Sequence, residues 1–242
     1  MRVLHINDRL SARGGADRHL VAVLSHLQGR AETLLAVGHD DGSLPPAERA
    51  GLGPWLRVKG LMRGGLGAAG GEGARRRLAE VVAAFRPEVI HVHNLMDPEL
   101  LELAAAAGPA VMTVQDHRAF CPGLGKLTPA GEVCARPLGA HCAGCFRDPD
   151  YGARLMALTR RRLAALGGFR RLIVLSGYMA GELEAAGLPA GRVMVLPPLV
   201  HGLSPRTQRG QAKHHYFQQP PQPIAKAAAE AEEKMADRPE QD

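Results

Sequence analysis

The chain has 242 residues, 45% of them hydrophobic, 22% charged and 4% aromatic, with a formal charge of +6. That is globular material, enough for one ordinary domain plus extras, with a core of aliphatic rather than aromatic side chains. No run approaches the roughly 20 apolar residues that span a bilayer. The opening Met1-Arg-Val-Leu-His-Ile6 enters an apolar strand without the features of a signal peptide, so the expected location is cytoplasmic.

In chain order, Val3–Ile6 reads as a short buried strand. Leu20, Val21, Leu24 and Leu27 give helical spacing over Ala16–Leu27, and Thr33–Val37 is a second strand. Residues 39–72 form a Gly- and Pro-containing insertion with a short strand around Trp55–Val58. Gly73–Phe85 is helical, Pro87 stops it, and Val89–Val92 is a strand. Pro98 suits the first turn of a helix through Ala107, followed by a strand at Ala110–Val114. Then come a helix at Tyr151–Leu166, a strand at Leu172–Leu175, a helix at Tyr178–Ala186 closed by Gly187, and a last strand at Val193–Leu196.

Alternation of short, continuously apolar strands with helices predicts an α/β fold, a doubly wound parallel sheet of Rossmann type over residues 1–202. Residues 203–242 change character. They contain Gln-Gln-Pro-Pro-Gln-Pro and an Ala/Glu/Lys-rich end, and are expected to be a disordered polar tail. The Arg75–Arg77 and Arg160–Arg162 runs read as solvated helix faces. Neither is interleaved with aromatics, which argues against a nucleic-acid partner; a membrane surface is compatible with the charge but not required.

In such a sheet ligands bind at the carboxyl ends of the strands, which directs attention to the residues just beyond each one. After the first strand, Gly14 and Gly15 permit a tight turn, and the helix start that follows offers free N–H groups suited to a diphosphate. The segment lacks GxGxxG, so a plain strand-to-helix turn is the alternative. At the end of the Val89 strand, His93 and Asn94 are placed to hydrogen-bond a sugar, while His91 reads as a buried core histidine. Beyond Val114 the chain turns abruptly polar at Gln115, Asp116, His117 and Arg118, which marks either a site or a polar loop start.

Four cysteines follow: Cys121, Cys134, Cys142 and Cys145. The Cys-x-x-Cys pair can place two thiolates on one metal, and the other two complete a tetrahedral site, so a structural Zn²⁺ is expected within a cysteine-containing loop over 116–147. Free or redox-active thiols are the alternative.

Several of these segments together resemble family 4 glycosyltransferases of the GT-B fold. They are Val3-Leu-His-Ile6, the Gly14-Gly-Ala-Asp17 turn, Pro87-Glu-Val-Ile-His-Val-His93, and the Gln-Asp-His-Arg loop with its cysteines. Val174-Leu-Ser-Gly-Tyr-Met-Ala-Gly-Glu-Leu183 and Val193-Met-Val-Leu-Pro-Pro198 complete the set. The resemblance implies an acceptor-side N-terminal domain, and a nucleotide-diphosphate sugar as donor substrate held mainly by a second domain. It also implies a glycan or lipid-linked acceptor, transfer with retention, and the Gly14-Gly15 turn against the donor diphosphate. Many members carry His-Asp where this chain has Gln115-Asp116. Gln115 can hydrogen-bond a sugar but cannot exchange a proton, so His117 is expected to assume part of the polar role. The Glu-x7-Glu spacing of the donor half recurs at Glu232 and Glu240, in the polar tail, and at Glu72, Glu80 and Glu88, in the wrong domain, so the donor half is expected to be absent from this chain, which is expected to be inactive unless another chain supplies it. The competing classes are a non-catalytic sugar- or nucleotide-binding remnant or truncated product, and a zinc-containing nucleic-acid binder.

Overall fold

The computed structural model describes residues 1–62 and 71–198. The expected tail lies outside them, as do Glu232 and Glu240. The described elements are β1 (Arg2–Leu10), α1 (Gly15–Leu27), β2 (Glu32–Asp40), α2 (Pro46–Ala50), β3 (Trp55–Arg57), α3 (Gly71–Phe85), β4 (Val89–Val92) and α4 (Pro98–Ala106). They continue with β5 (Ala110–Val114), α5 (Pro149–Leu166), β6 (Arg171–Val174), α6 (Gly177–Ala185) and β7 (Val193–Val195).

All seven strands pair in parallel in the order β3-β2-β1-β4-β5-β6-β7. This is the doubly wound, Rossmann-like α/β arrangement. The chain winds outward from β1 to β3, then crosses back to β4 on the other side of β1, so the topological switch lies between β1 and β4. Two cores cover the two faces. Leu4, Ile6, Ile90, Val92, Met112, Val114, Leu172 and Val174 meet Leu78, Leu101, Leu166 and Leu183 from the helices α3 to α6. On the other side Leu35 and Val37 meet Leu20, Val21 and Leu24 of α1. The crossover from β1 to β2 and those that run the other way across the sheet therefore lie on opposite faces, as winding of a single hand requires.

Local chemistry fixes the helix ends. Asp97 caps α4 by accepting from the Glu99 and Leu100 N–H groups, with Pro98 at the first position. Asp148 and Pro149 repeat the device at α5, and Ser176 caps α6. Gly187, at φ 94°, ends α6 by donating to the Glu184 carbonyl, while Leu188 N–H reaches back to the Leu183 carbonyl.

Two sequence expectations are corrected. β1 runs to Leu10, where pairing with Asp40 of β2 continues the ladder, so Asn7 and Asp8 are strand residues rather than the start of a loop. Arg162 is not part of a solvated run. It is 6% exposed, because the α5 spacing that buries Thr159 and Leu166 carries it to the same face.

Candidate functional site

The ends of β1, β4 and β5 converge on a cleft of about 320 Å³, walled by Asp8, Leu61, Met62, Met96, Arg118, Cys121, Pro122, Gly123, Tyr151, Leu155 and Arg162. β1 and β4 are stitched together at its floor. The Asp8 N–H donates to the Asn94 carbonyl (2.9 Å), and the Asn94 N–H donates to Asn7 Oδ1 (2.8 Å). The Asn94 amide then serves both neighbours: its Nδ2 donates to Asp8 Oδ2 (3.1 Å), and its Oδ1 accepts from the Arg118 guanidinium (2.8 Å). Arg118 also forks onto Asp116, donating from Nε (2.9 Å) and Nη2 (2.6 Å) to one carboxylate oxygen. Asp116 in turn caps the short helical turn His117–Ala119 by accepting from the Arg118 N–H. Arg162 underpins this wall, donating to the Met96 carbonyl (2.8 Å) and the Arg118 carbonyl (3.2 Å).

Burial gives Asp8 an unusual proton affinity. Removal from water pushes its carboxyl up to about 6, against the opposing pull of the Arg118 and Arg9 cations. Its Oδ1 is buried without a partner in the protein. Gln115, at the end of β5, has both amide atoms buried without partners, and His117 Nε2 is in the same condition. The His117 ring meets Phe120 and Tyr178 edge-on. Buried polar atoms with unmet hydrogen-bonding capacity are uncommon, and these three residues lie at or just beyond the ends of β1 and β5, the side of the sheet where a ligand is received.

Among the residues singled out from sequence, Asn94, Asp116 and Arg118 form one bonded unit. Gln115 precedes it and His117 lies within it. His93 is different: it is 1% exposed and lies beneath the site, its Nε2 sharing a hydrogen bond with His5 Nδ1 (3.0 Å) and its ring stacked on His91. His91 bonds the Thr113 hydroxyl (2.8 Å). His5 Nε2 and His93 Nδ1 have no partner. Whichever ring carries the shared proton, one of these two outer nitrogens must carry an N–H without an acceptor, at a cost of about 1–3 kcal/mol.

Among the described residues, His5, His91 and His93 are the one group of three or more His, Cys, Asp or Glu with ligand atoms within 4.8 Å of one another. A cation on the shared edge of His5 and His93 would leave both outer nitrogens protonated and unaccepted. Metal-bound imidazoles normally donate that second N–H. The donor set therefore fits a neutral packed cluster better than a metal site.

Gly14 precedes α1, and its close approach is to protein. A Cβ there would lie 2.7 Å from Asp17 Oδ2 and 3.1 Å from an Arg9 nitrogen. Asp17, in the first turn of α1, is held by Arg9 at 2.8 Å. Around Gly15 there is open space. The α1 N-terminus thus carries an internal ion pair beside the diphosphate position expected from sequence.

The four cysteines are free, and all four line one small cavity of about 20 Å³ together with Phe120, Gly123 and Lys126. The Lys126 N–H donates to Cys121 Sγ (3.4 Å), and the Cys134 N–H donates to the Lys126 carbonyl. Lys126, 5% exposed, ties the loop to α6 through an ion pair with Glu182 (2.8 Å) and donates to the Arg136 carbonyl. The thiols do not reach the mutual spacing of the histidine group.

Sequence reading missed Asp8, Arg9, Asp17 and Arg162. Asp8 and Arg9 lie inside a longer strand than the apolar run suggested. Arg162 was hidden in a charge run, and only its helical phase, three residues after Thr159, distinguishes it.

No helix among the described residues is long and apolar enough to cross a membrane. The family model described as Glycosyltransferase Family 4 matches residues 13–202. No curated protein sequence matches the chain. Among solved structures, Alr3699/HepE from Anabaena in complex with UDP and glucose is 17% identical with a TM-score of 0.50, covering 88% of this chain and 50% of that one. Its complex with UDP-glucose gives 16% identity, the same coverage and a TM-score of 0.50. A glycosyltransferase from Rickettsia africae gives 12% identity and a TM-score of 0.47 over 90% of this chain and 50% of its own. The chain spans about half the length of these structures, and at such identities the likeness is one of fold.

Proposed function

This chain belongs to glycosyltransferase family 4, and from that premise we propose that residues 1–202 form the acceptor-side, Rossmann-like half of a retaining GT-B enzyme that uses a nucleotide-diphosphate sugar. The observation that carries the proposal is the bonded set Asp8–Asn94–Arg118–Asp116 around the cleft at the β1/β4 switch. The UDP and UDP-glucose complexes of the Anabaena structure support the class of donor.

Gln115, with its unpartnered amide, hydrogen-bonds the transferring sugar. Asp116 holds Arg118 in place, and His117 supplies the remaining polar contact. Asn94 and Arg118 bind substrate, the Gly14-Gly15 turn faces the donor diphosphate, and His93 backs Asn94 from below. Most donor contacts come from a second domain, whose closure excludes water and aligns the reacting groups. The acceptor is a glycan or lipid-linked glycan, reached in the cytoplasm or at a membrane surface. The test is nucleotide release from a panel of nucleotide sugars by the purified chain, with and without a family 4 donor domain. The expected result is negligible turnover alone, restored turnover with the donor domain, and at least tenfold loss in Arg118→Ala, about 1.4 kcal/mol or more. Robust turnover by the isolated chain, or an unaffected Arg118→Ala, would count against this reading. The alternative, a binding remnant without catalysis, predicts no turnover under either condition.

We also propose that Cys121, Cys134, Cys142 and Cys145 hold one structural Zn²⁺. Supporting it are the shared cavity, the Lys126 N–H already directed at Cys121 Sγ, and a loop with few buried apolar residues to hold it together. Zinc would draw the thiols inward from their present spacing. Elemental analysis of protein purified without chelator is expected to find about one metal per chain. A metal-free folded protein with four titratable thiols would sink the idea.

A further inference from the structure

The cleft that the family 4 reading assigns to the acceptor has a chemical character that the family does not specify. Its guanidiniums are largely engaged. Arg118 makes three hydrogen bonds, two to Asp116 and one to Asn94. Arg162 donates to the Met96 and Arg118 carbonyls. An anion would have to compete with these bonds and would sit beside the Asp8 carboxylate, so the chain's positive charge does not translate into a phosphate pocket here. Asp8 offers the opposite chemistry: Oδ2 is taken by Asn94, whereas Oδ1 is buried without a well-formed hydrogen bond, the Arg9 N–H being the smallest of the pulls on this carboxyl. A buried carboxylate oxygen in that state is completed by an O–H or N–H brought by a ligand. The same cleft carries apolar lining beside its charged groups, through Met96, Leu155, Pro122 and Tyr151. The volume of about 320 Å³ lies at the small end of ligand clefts and suits one sugar ring with a short apolar extension.

We infer that the cleft takes a neutral, hydroxyl-bearing acceptor with an apolar flank, and that Asp8 is the specificity-determining residue that accepts the hydrogen bond from its hydroxyl. The inference rests on the family 4 reading for the word acceptor, but not for the chemistry. The high proton affinity of Asp8 is consistent with a carboxyl short of donors, and a hydroxyl donating to Oδ1 would favour its charged form.

The test uses the full chain with three probes: methyl β-D-glucopyranoside, n-hexyl β-D-glucopyranoside and inorganic phosphate. Carboxyl ¹³C NMR follows the Asp8 midpoint, assigned by its loss in Asp8→Asn. Saturating hexyl glucoside is expected to lower that midpoint from about 6. It is expected to bind about tenfold more tightly than the methyl glucoside, through burial of its alkyl chain. Asp8→Asn is expected to weaken hexyl glucoside about tenfold, the loss of one hydrogen bond to a charged group. Phosphate is expected to leave the midpoint unchanged. Equal affinity of wild type and Asp8→Asn for the glucoside, no glucoside binding, or phosphate binding that raises the midpoint would each overturn the inference. Sugar transfer by the chain with a donor domain that is indifferent to Asp8→Asn would retain the family 4 function and reject this one. Glucoside binding at Asp8 without use of any nucleotide sugar would do the reverse.

Discussion

Lowering the pH from 7.5 to 5 is expected to strip this domain of much of its stability, and the histidines beneath the cleft set the size of the effect. Burial holds His5 at about 4 and His91 at about 3, the latter helped by the neighbouring His5 and His19, and it holds His93 well below its ordinary value of 6.5. The folded state therefore keeps these rings neutral while the unfolded chain protonates them. Their contribution is complete above pH 6.5 and is lost as the pH falls toward the folded values. At pH 5, about 1.5 units below the unfolded value, each ring costs about 2 kcal/mol, and three cost about 6 kcal/mol. That is comparable with the roughly 5–15 kcal/mol total stability of a domain. Urea unfolding of the full chain at half-unit pH steps, followed by circular dichroism, reads the slope. Three silent histidines give about 4 kcal/mol per pH unit between pH 5.5 and 4.5, of which Asp8, raised to about 6 in the folded state, offsets about 1 kcal/mol per pH unit by taking up its proton first there. His5→Gln removes one titrating ring and is expected to reduce the slope by about 1.4 kcal/mol per pH unit, which separates the cluster from acid-sensitive carboxylates elsewhere. A slope unchanged by His5→Gln, or imidazole resonances of His5 and His93 titrating near 6.5, would refute the reasoning.

Arg9→Ala leaves the buried Asp17 carboxylate without its cation and is expected to lower unfolding stability by about 1–3 kcal/mol, measured in urea at pH 7. Gly14→Ala forces a Cβ to 2.7 Å from the same carboxylate and is expected to cost a similar amount, about 1–3 kcal/mol, through overpacking. Lys126→Met removes the buried cation that pairs with the partly buried Glu182; about 1–3 kcal/mol is expected, with hydrogen exchange quickening across residues 116–147 and not in β1 or β4. Gly38→Ala, whose Cβ would lie 2.6 Å from both the Asp8 carbonyl oxygen and the Met62 nitrogen, must displace the end of β1. It is expected to move the Asp8 titration midpoint below 6 as water enters, whereas an unmoved midpoint would show that the strand end yields without opening the site.

The sheet and its class were legible in the order of residues. The apolar runs at Val89–Val92 and Ala110–Val114 became strands with those bounds, and the helices α1, α5 and α6 begin or end within two residues of the periodicity that announced them. Helical spacing and capping residues act over a few neighbours, so they can be read locally. The family, too, was legible, because motifs at successive strand ends keep their order in the chain. Tertiary structure decided which polar residues meet. Asp8 and Asn94 lie 86 residues apart, and Arg118 reaches Asn94 across another 24. The crossover from β3 to β4 on the far side of β1 brings them together, and no local pattern encodes it. The same crossover lays His5 beside His91 and turns two unremarkable strand positions into a buried neutral cluster. Burial then sets their chemistry: Asp8 holds its proton to about 6 and His5 refuses one until about 4, because each is moved out of water by neighbours distant in the sequence.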